Sequence, residues 1–208
     1  MSLAVIGISH HTAPVEVRER FAFSPEEVEP TLEEARRRAG VDEVVLVSTC
    51  NRTELYLYPL LGSESEAEVE ALLQRKAGPL PAPVGDFLYR YRAESVALHL
   101  FRVAAGLDSL VTGEAEIQGQ VRDAYQRALE PEHGEAYSGP VLNRLFQTAL
   151  SVGGRVRSET SIAEGAASVA SVAVELARKI FGRLKGRRVL VIGAGEASEL
   201  VVEALGRQ

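Results

Sequence analysis

The chain has 208 residues, 46% of them hydrophobic and 25% charged, with a formal net charge of −6. That length is enough for one large domain or two small ones with a real core. The acidic balance argues against bulk nucleic-acid binding, although local basic clusters such as Arg36 to Arg38, Arg155 with Arg157, and Lys185 to Arg188 stand out against it. A single cysteine excludes an internal disulfide and a cysteine-only metal cage, which fits a reducing, cytoplasmic setting. The opening MSLAVIGISH lacks a basic leader, and no apolar run approaches the ~20 residues of a membrane span.

Leu3 to Ile8 is apolar and β-branched and predicts a buried strand. Ser24-Pro25-Glu26-Glu27 opens a helix, with Ser24 as N-cap, Pro25 at the first helical position and Glu27 closing a capping box. Val28, Leu32, Ala35 and Ala39 follow at helical spacing, and Gly40 stops it. Glu43 to Val47 predicts a second strand. Thr53 to Tyr58 predicts a third, with Leu55 and Leu57 alternating against Tyr56 and Tyr58. An acidic helix over about 65–76 and a Pro/Gly-rich loop lead to a fourth strand at Asp86 to Tyr91. The order β-α-β-β-α-β is the ferredoxin-like pattern.

From Ala93 onward the pattern is helical. Val96, Leu100, Val103 and Leu107 form one apolar face, and Ile117, Val121, Ala124 and Ala128 a second. Val141, Leu145, Thr148 and Val152 form a third, opened by Gly139-Pro140; Val169, Val172, Leu176 and Ile180 form a fourth. Arg188 to Ile192 then predicts a strand running into Gly193-Ala194-Gly195 and a last helix to Gln208. The expected organisation is a ferredoxin-like part (1–92), a helical part (93–160), a connecting helix (161–186) and the start of a Rossmann-type unit (187–208).

Gly193-x-Gly195-x-x-Ser198, after a strand and before a helix, has the context of a dinucleotide fingerprint. Gly193 would make the tight turn, Gly195 would admit a pyrophosphate, and Ser198 stands where a third glycine is usual. The several parallel strands and the acidic ribose partner ~20 residues on lie beyond these residues. A plain strand-turn-helix has the same pattern.

Cys50 has two readings. Free cysteines usually act as small buried hydrophobes. At a strand-to-turn position, however, the sulfur can be exposed, with Arg52 supplying positive potential for a thiolate and Asn51 an amide to orient a carbonyl. His99 flanks an apolar helix face, either as a satisfied core histidine or as a proton carrier near a reacting carbonyl. Glu116 and Gln120 share a helix face, where with Glu114 they either complement the helix dipole or accept from an ammonium group. His10 and His11 are neighbours that point apart and His133 is isolated, so no metal site is expected.

Taken in order, GISHHTAPVEVRER (7–20), STCNRTELY (48–56), HLFRVAAGLDSLVTGEAEIQGQV (99–121), RVRSET (155–160) and VLVIGAGE (189–196) resemble the glutamyl-tRNA reductase family across the whole chain. The resemblance implies an oxidoreductase that commits glutamate to tetrapyrrole synthesis. Cys50 would attack the ester carbonyl of glutamyl-tRNA, a thioester would form, and NADPH would reduce it to glutamate-1-semialdehyde. It implies a substrate pocket of Thr49, Cys50, Asn51, Arg52, Ser109, Glu114, Ala115, Glu116 and Gln120, with Arg52 clamping the glutamyl carboxylate and His99 important for activity. Gly193, Ala194, Gly195, Glu196, Ala197 and Ser198 would form part of the NADP site. It further implies a homodimer in the full-length family and a glutamate-1-semialdehyde aminotransferase as pathway partner. For these 208 residues alone, a monomer limited to thioester formation or ester hydrolysis is expected. Two rival classes are an aldehyde dehydrogenase of small acyl substrates and a binding module with an inert, buried Cys50.

Overall fold

The computed structural model describes residues 2–114, 116–163, 169–193 and 196–206. Four strands form one sheet: β1 (Ser2–Ser9), β2 (Glu43–Ser48), β3 (Arg52–Leu60) and β4 (Tyr89–Arg92), in the order β2-β3-β1-β4. Every neighbouring pair is antiparallel. Helix α1 (Val15–Arg18) and helix α2 (Pro25–Ala39) connect β1 to β2, and α3 (Ser63–Ala77) connects β3 to β4. This is the expected β-α-β-β-α-β order, in the split arrangement where β3 lies between the first two strands. The predicted cap is present: Ser24 accepts at the third helical position while its own N–H donates to Glu27 at 2.8 Å. The fourth strand is shorter and later than Asp86 to Tyr91, because a 3-10 turn occupies Val84–Asp86.

The two faces of the sheet differ in chemistry. Because side chains alternate along a strand, Thr53, Leu55 and Leu57 of β3 share a face, and Arg52, Glu54 and Tyr56 share the other. The first face lies toward the segment leading into α2, where the Thr53 hydroxyl donates to the Phe21 carbonyl at 3.0 Å. Leu55 and Leu57 are fully buried, each worth about 2–3 kcal/mol of transfer free energy. The second face is covered by α4 (Glu94–Ala104), α5 (Glu116–Leu129) and α6 (Pro140–Glu159). There Tyr56 meets Phe146 of α6 edge-on at 5.1 Å.

α6 is anchored from the sheet. Glu43 of β2 accepts from the N–H groups of Val141 (3.2 Å) and Leu142 (2.7 Å), satisfying two of the helix's orphan donors. Its buried face consists of Leu142, Leu145, Phe146, Ala149 and Gly153. The predicted face, with Val141, Thr148 and Val152, is therefore off by about one residue. Gly153 explains the slip: a Cβ there would lie 2.6 Å from the Ala104 carbonyl, so its lack of a side chain lets α4 in. Leu107, predicted on the α4 face, lies past the helix end and is exposed.

Helices α7 (Val169–Phe181) and α8 (Glu196–Gly206) pack on each other. Two expectations fail here. Arg188 to Ile192 forms no strand, because a strand needs a partner to satisfy its backbone and the described residues supply none; Leu190 and Ile192 are 83% and 88% exposed. Leu176 and Ile180, predicted to face a core, are also exposed, whereas Val174 is buried. The end of the last helix, at 207–208, lies outside the described residues. No helix of the described residues is long and apolar enough to cross a membrane.

Candidate active site

β2 and β3 are joined by a tight hairpin whose two central residues are Cys50 and Asn51. The Thr49 N–H donates to the Arg52 carbonyl at 2.8 Å. The Thr49 hydroxyl in turn accepts from the N–H groups of Asn51 and Arg52, both at 3.2 Å. The Asn51 carbonyl accepts from the His10 N–H at 3.1 Å, which locks the turn to the end of β1. Cys50 is exposed at the apex. The expectation of a buried Cys50 is thereby overturned.

Arg52 does not supply the positive potential for a thiolate that the sequence predicts. Its side chain is 1% exposed, and its guanidinium is spent inside the protein. One terminal nitrogen donates to Glu54 Oε1 at 2.8 Å, and both reach Asp108 Oδ2 at 3.2 Å. The second also donates to the Asp108 backbone carbonyl. Only Nε is left, buried and without a partner. Arg52 is therefore no source of thiolate stabilisation. Desolvation by the surrounding protein and then the Glu114 carboxylate push the Cys50 thiol above its ordinary pKa, with Glu116 adding to the rise and Arg18 opposing it.

Sequence reasoning missed the centre of the polar face, Glu54. It is fully buried, and four side chains donate to it. These are Arg52, Tyr56 through its hydroxyl at 2.6 Å, Tyr89 through its hydroxyl, and His99 through Nε2 at 2.8 Å. Burial alone would raise its pKa, but the Arg52 charge and the bonds from His99 and Tyr56 hold it well below the usual carboxylate range. The Tyr56 and Tyr89 phenols are pushed well up by burial and by Glu54. Gly7 makes room for this carboxylate: a Cβ there would lie 2.8 Å from Glu54 Cγ and 2.7 Å from the Thr53 carbonyl. One signal was available, a glutamate in register with an arginine inside an otherwise apolar strand.

His99 is held by Glu54 and ringed by Tyr89 and Tyr91, with centroids at 5.4 and 4.9 Å. Glu54, its partner, lies two residues beyond Arg52 on the same face of β3. Ser109 is buried with its hydroxyl unpartnered, as are His10 Nδ1 and Arg18 Nε. Burial, then His11 and Arg52, lower the His10 pKa below its ordinary value, while the His11 ring lies 3.2 Å from Asp108 Oδ1, which accepts. Glu114 is buried, and Glu116 opens α5 four residues before half-buried Gln120. Ala115, Ala194 and Gly195 lie outside the described residues. Among the described residues no group of three or more His, Cys, Asp or Glu could hold a metal ion.

Residues 6–160 match the family model described as "Glutamyl-tRNAGlu reductase, N-terminal domain". The chain belongs to the glutamyl-tRNA reductase family. Residues 175–208 match a second model, described as "Shikimate / quinate 5-dehydrogenase". A glutamyl-tRNA reductase of Rubrobacter xylanophilus is 50% identical over 99% of this chain and 47% of its own length. One of Deinococcus radiodurans is 46% identical over 99% of this chain and 55% of its own. The solved structure "Glutamyl-tRNA Reductase from Methanopyrus kandleri" superposes with a TM-score of 0.67 at 35% identity, covering 99% of this chain and 46% of that one. The chain spans about half the length of the curated relatives it matches. Its fold is that of the family's amino-terminal half, and the Cys50 turn, Glu54, His99 and Ser109 all fall within the matched 6–160 segment.

Proposed function

We propose that these residues carry the acyl-transfer half of a glutamyl-tRNA reductase. The observation that carries this reading is the exposed thiol of Cys50 on a rigid two-residue turn, inside the segment matched to the family. The Cys50 sulfur attacks the ester carbonyl of glutamyl-tRNA and the ribose oxygen leaves with a proton, so that an oxygen ester becomes a thioester. A thioester is a better hydride acceptor than the ester it replaces. Asn51, next to the thiol in sequence and buried, would supply an amide to orient the carbonyl. A clamp on the glutamyl carboxylate by Arg52 would require it to exchange a bond to Asp108 for the substrate, since its Nε and the Ser109 hydroxyl are both buried.

At the other end of the chain, Gly193 has φ +131 and a Cβ there would come within 2.9 Å of Ser198 Oγ. That conformation of Gly193, shortly before α8, fits the phosphate part of a nicotinamide nucleotide. Gly193 and Ser198, with Ala194 to Ala197 between them, would hold NADPH there, and NADPH when bound supplies hydride. In this reading the product is glutamate-1-semialdehyde, made in the cytoplasm for tetrapyrrole synthesis and passed to an aminotransferase. The whole protein would work as a homodimer, and the 208 residues alone as a monomer that forms or hydrolyses the acyl adduct.

The test is intact-protein mass spectrometry after mixing the chain with glutamyl-tRNA, without NADPH, beside Cys50→Ser. A glutamyl adduct on the unmodified chain alone is expected. Absence of both adduct and ester consumption would overturn the reading.

A further inference from the structure

The motif at 155–160, RVRSET, has no task in the chemistry above. The structure gives Arg157 one. Arg157 lies on α6, near its end, and its two terminal nitrogens reach back to the turn before α5. One donates to the Glu114 carbonyl and the other to the Gly113 carbonyl at 3.4 Å. Its Nε is buried without a partner, so the guanidinium is dry on that side. Carbonyls of consecutive residues suit a planar fork, which an ammonium group cannot reproduce.

The turn is also held from other directions. Gly113 has φ +83, and a Cβ there would lie 2.4 Å from the Ile162 carbonyl, in the 3-10 turn Ser161–Ala163 that follows α6. The Gly113 N–H donates to the Gly106 carbonyl at 2.9 Å. At the far end of the same irregular stretch, Arg52 grips the Asp108 carbonyl. The stretch from Gly106 to Glu114, which carries Asp108, Ser109 and Glu114, is thus held at one end by Arg52 and at the other by Arg157. Neither anchor is local in sequence.

We propose that Arg157 is a positioning residue of the acyl site: by gripping the Gly113 and Glu114 carbonyls it fixes the backbone that carries the Glu114 side chain, in a turn closed on its other side by Ile162. The proposal rests on Cys50 being the nucleophile. The charged groups that act on the thiol are Glu114, Glu116 and Arg18, and Arg157 governs the first of them.

The test is the pH dependence of iodoacetamide alkylation at Cys50, which is unambiguous because the chain has one cysteine. It compares the unmodified chain, Glu114→Gln, Arg157→Met, Arg157→Lys and the Glu114→Gln/Arg157→Met pair. Glu114→Gln removes a negative charge near the thiol and moves the profile to lower pH. Arg157→Met frees the backbone that carries the same carboxylate and moves it the same way, with alkylation at pH 8 about two- to threefold faster. In the Glu114→Gln background Arg157→Met adds nothing, and Arg157→Lys falls between. A merely structural Arg157 lowers the melting temperature and leaves the profile in place, which would overturn the proposal. An equal shift in both backgrounds would overturn it too. If Arg157→Met does not fold, Gly113→Ala pushes the same turn away from Ile162 and carries the same expectation. Glutamyl-tRNA acylation of the unmodified chain is measured alongside. Its absence, with the alkylation shifts intact, would remove the acyl-transfer reading and leave the Arg157–Glu114 coupling standing.

Discussion

The two faces of β3 are built from the same nine residues by opposite means. Leu55 and Leu57 close one face with apolar side chains, and any hydrophobe of similar volume would serve nearly as well. Arg52, Glu54 and Tyr56 close the other with a buried ion pair and three further donors to Glu54. Charges taken out of water contribute little net stability even when well paired, but they are costly to leave half-paired. The apolar face is therefore tolerant and the polar face exacting. The exacting face carries the turn with the thiol at one end and His99 at the other.

The largest break in that comparison should come from Glu54→Ala. It leaves Arg52 buried with Asp108 as its remaining counter-charge, and a loss of roughly 3–5 kcal/mol in urea unfolding is expected. Leu55→Ala on the opposite face should cost slightly less, about 2–4 kcal/mol, as an ordinary core cavity. If the two losses came out in the reverse order by a wide margin, the polar face would not be the exacting one. Tyr56→Phe deletes one donor to Glu54 and keeps the contact with Phe146, so about 1–2 kcal/mol is expected.

The mildest probe is acid. Glu54 has a folded-state pKa below its unfolded value, so its contribution is complete above the unfolded value of ~4.3 and is lost progressively as pH falls below it. Stability of the unmodified chain should therefore decline from about pH 5 to pH 2, and more shallowly in Glu54→Gln. Equal slopes in the two chains would show that other carboxylates dominate.

Much of the first face was legible in the sequence. Leu55 and Leu57 alternate against tyrosines, Ser24 to Glu27 spell a helix start, and both signals are local. Glu54 was not legible as a hub, because its partners Tyr89 and His99 are 35 and 45 residues away. Arg52 was misread as a source of potential for the same reason: the thiol is two residues away in sequence, but the charge is taken by Glu54 and by Asp108, 56 residues on. The Arg188 to Ile192 strand failed differently. Its apolar, β-branched residues have the right propensity, but propensity on a sheet is measured by packing against neighbours, and Leu190 and Ile192 have little to pack against. The turn around Cys50 lay between these cases. Its position at a strand end was readable, and the two bonds that Thr49 makes across it were not.

Those two bonds bear on how substrate and enzyme meet. The amides of Asn51 and Arg52 point at a fixed hydroxyl, so a loop tip that would ordinarily exchange its hydrogens within seconds should exchange them at rates closer to the strands it joins. A thiol mounted there does not swing out to search for an ester. In the acyl-transfer reading, the ester would have to be brought to it.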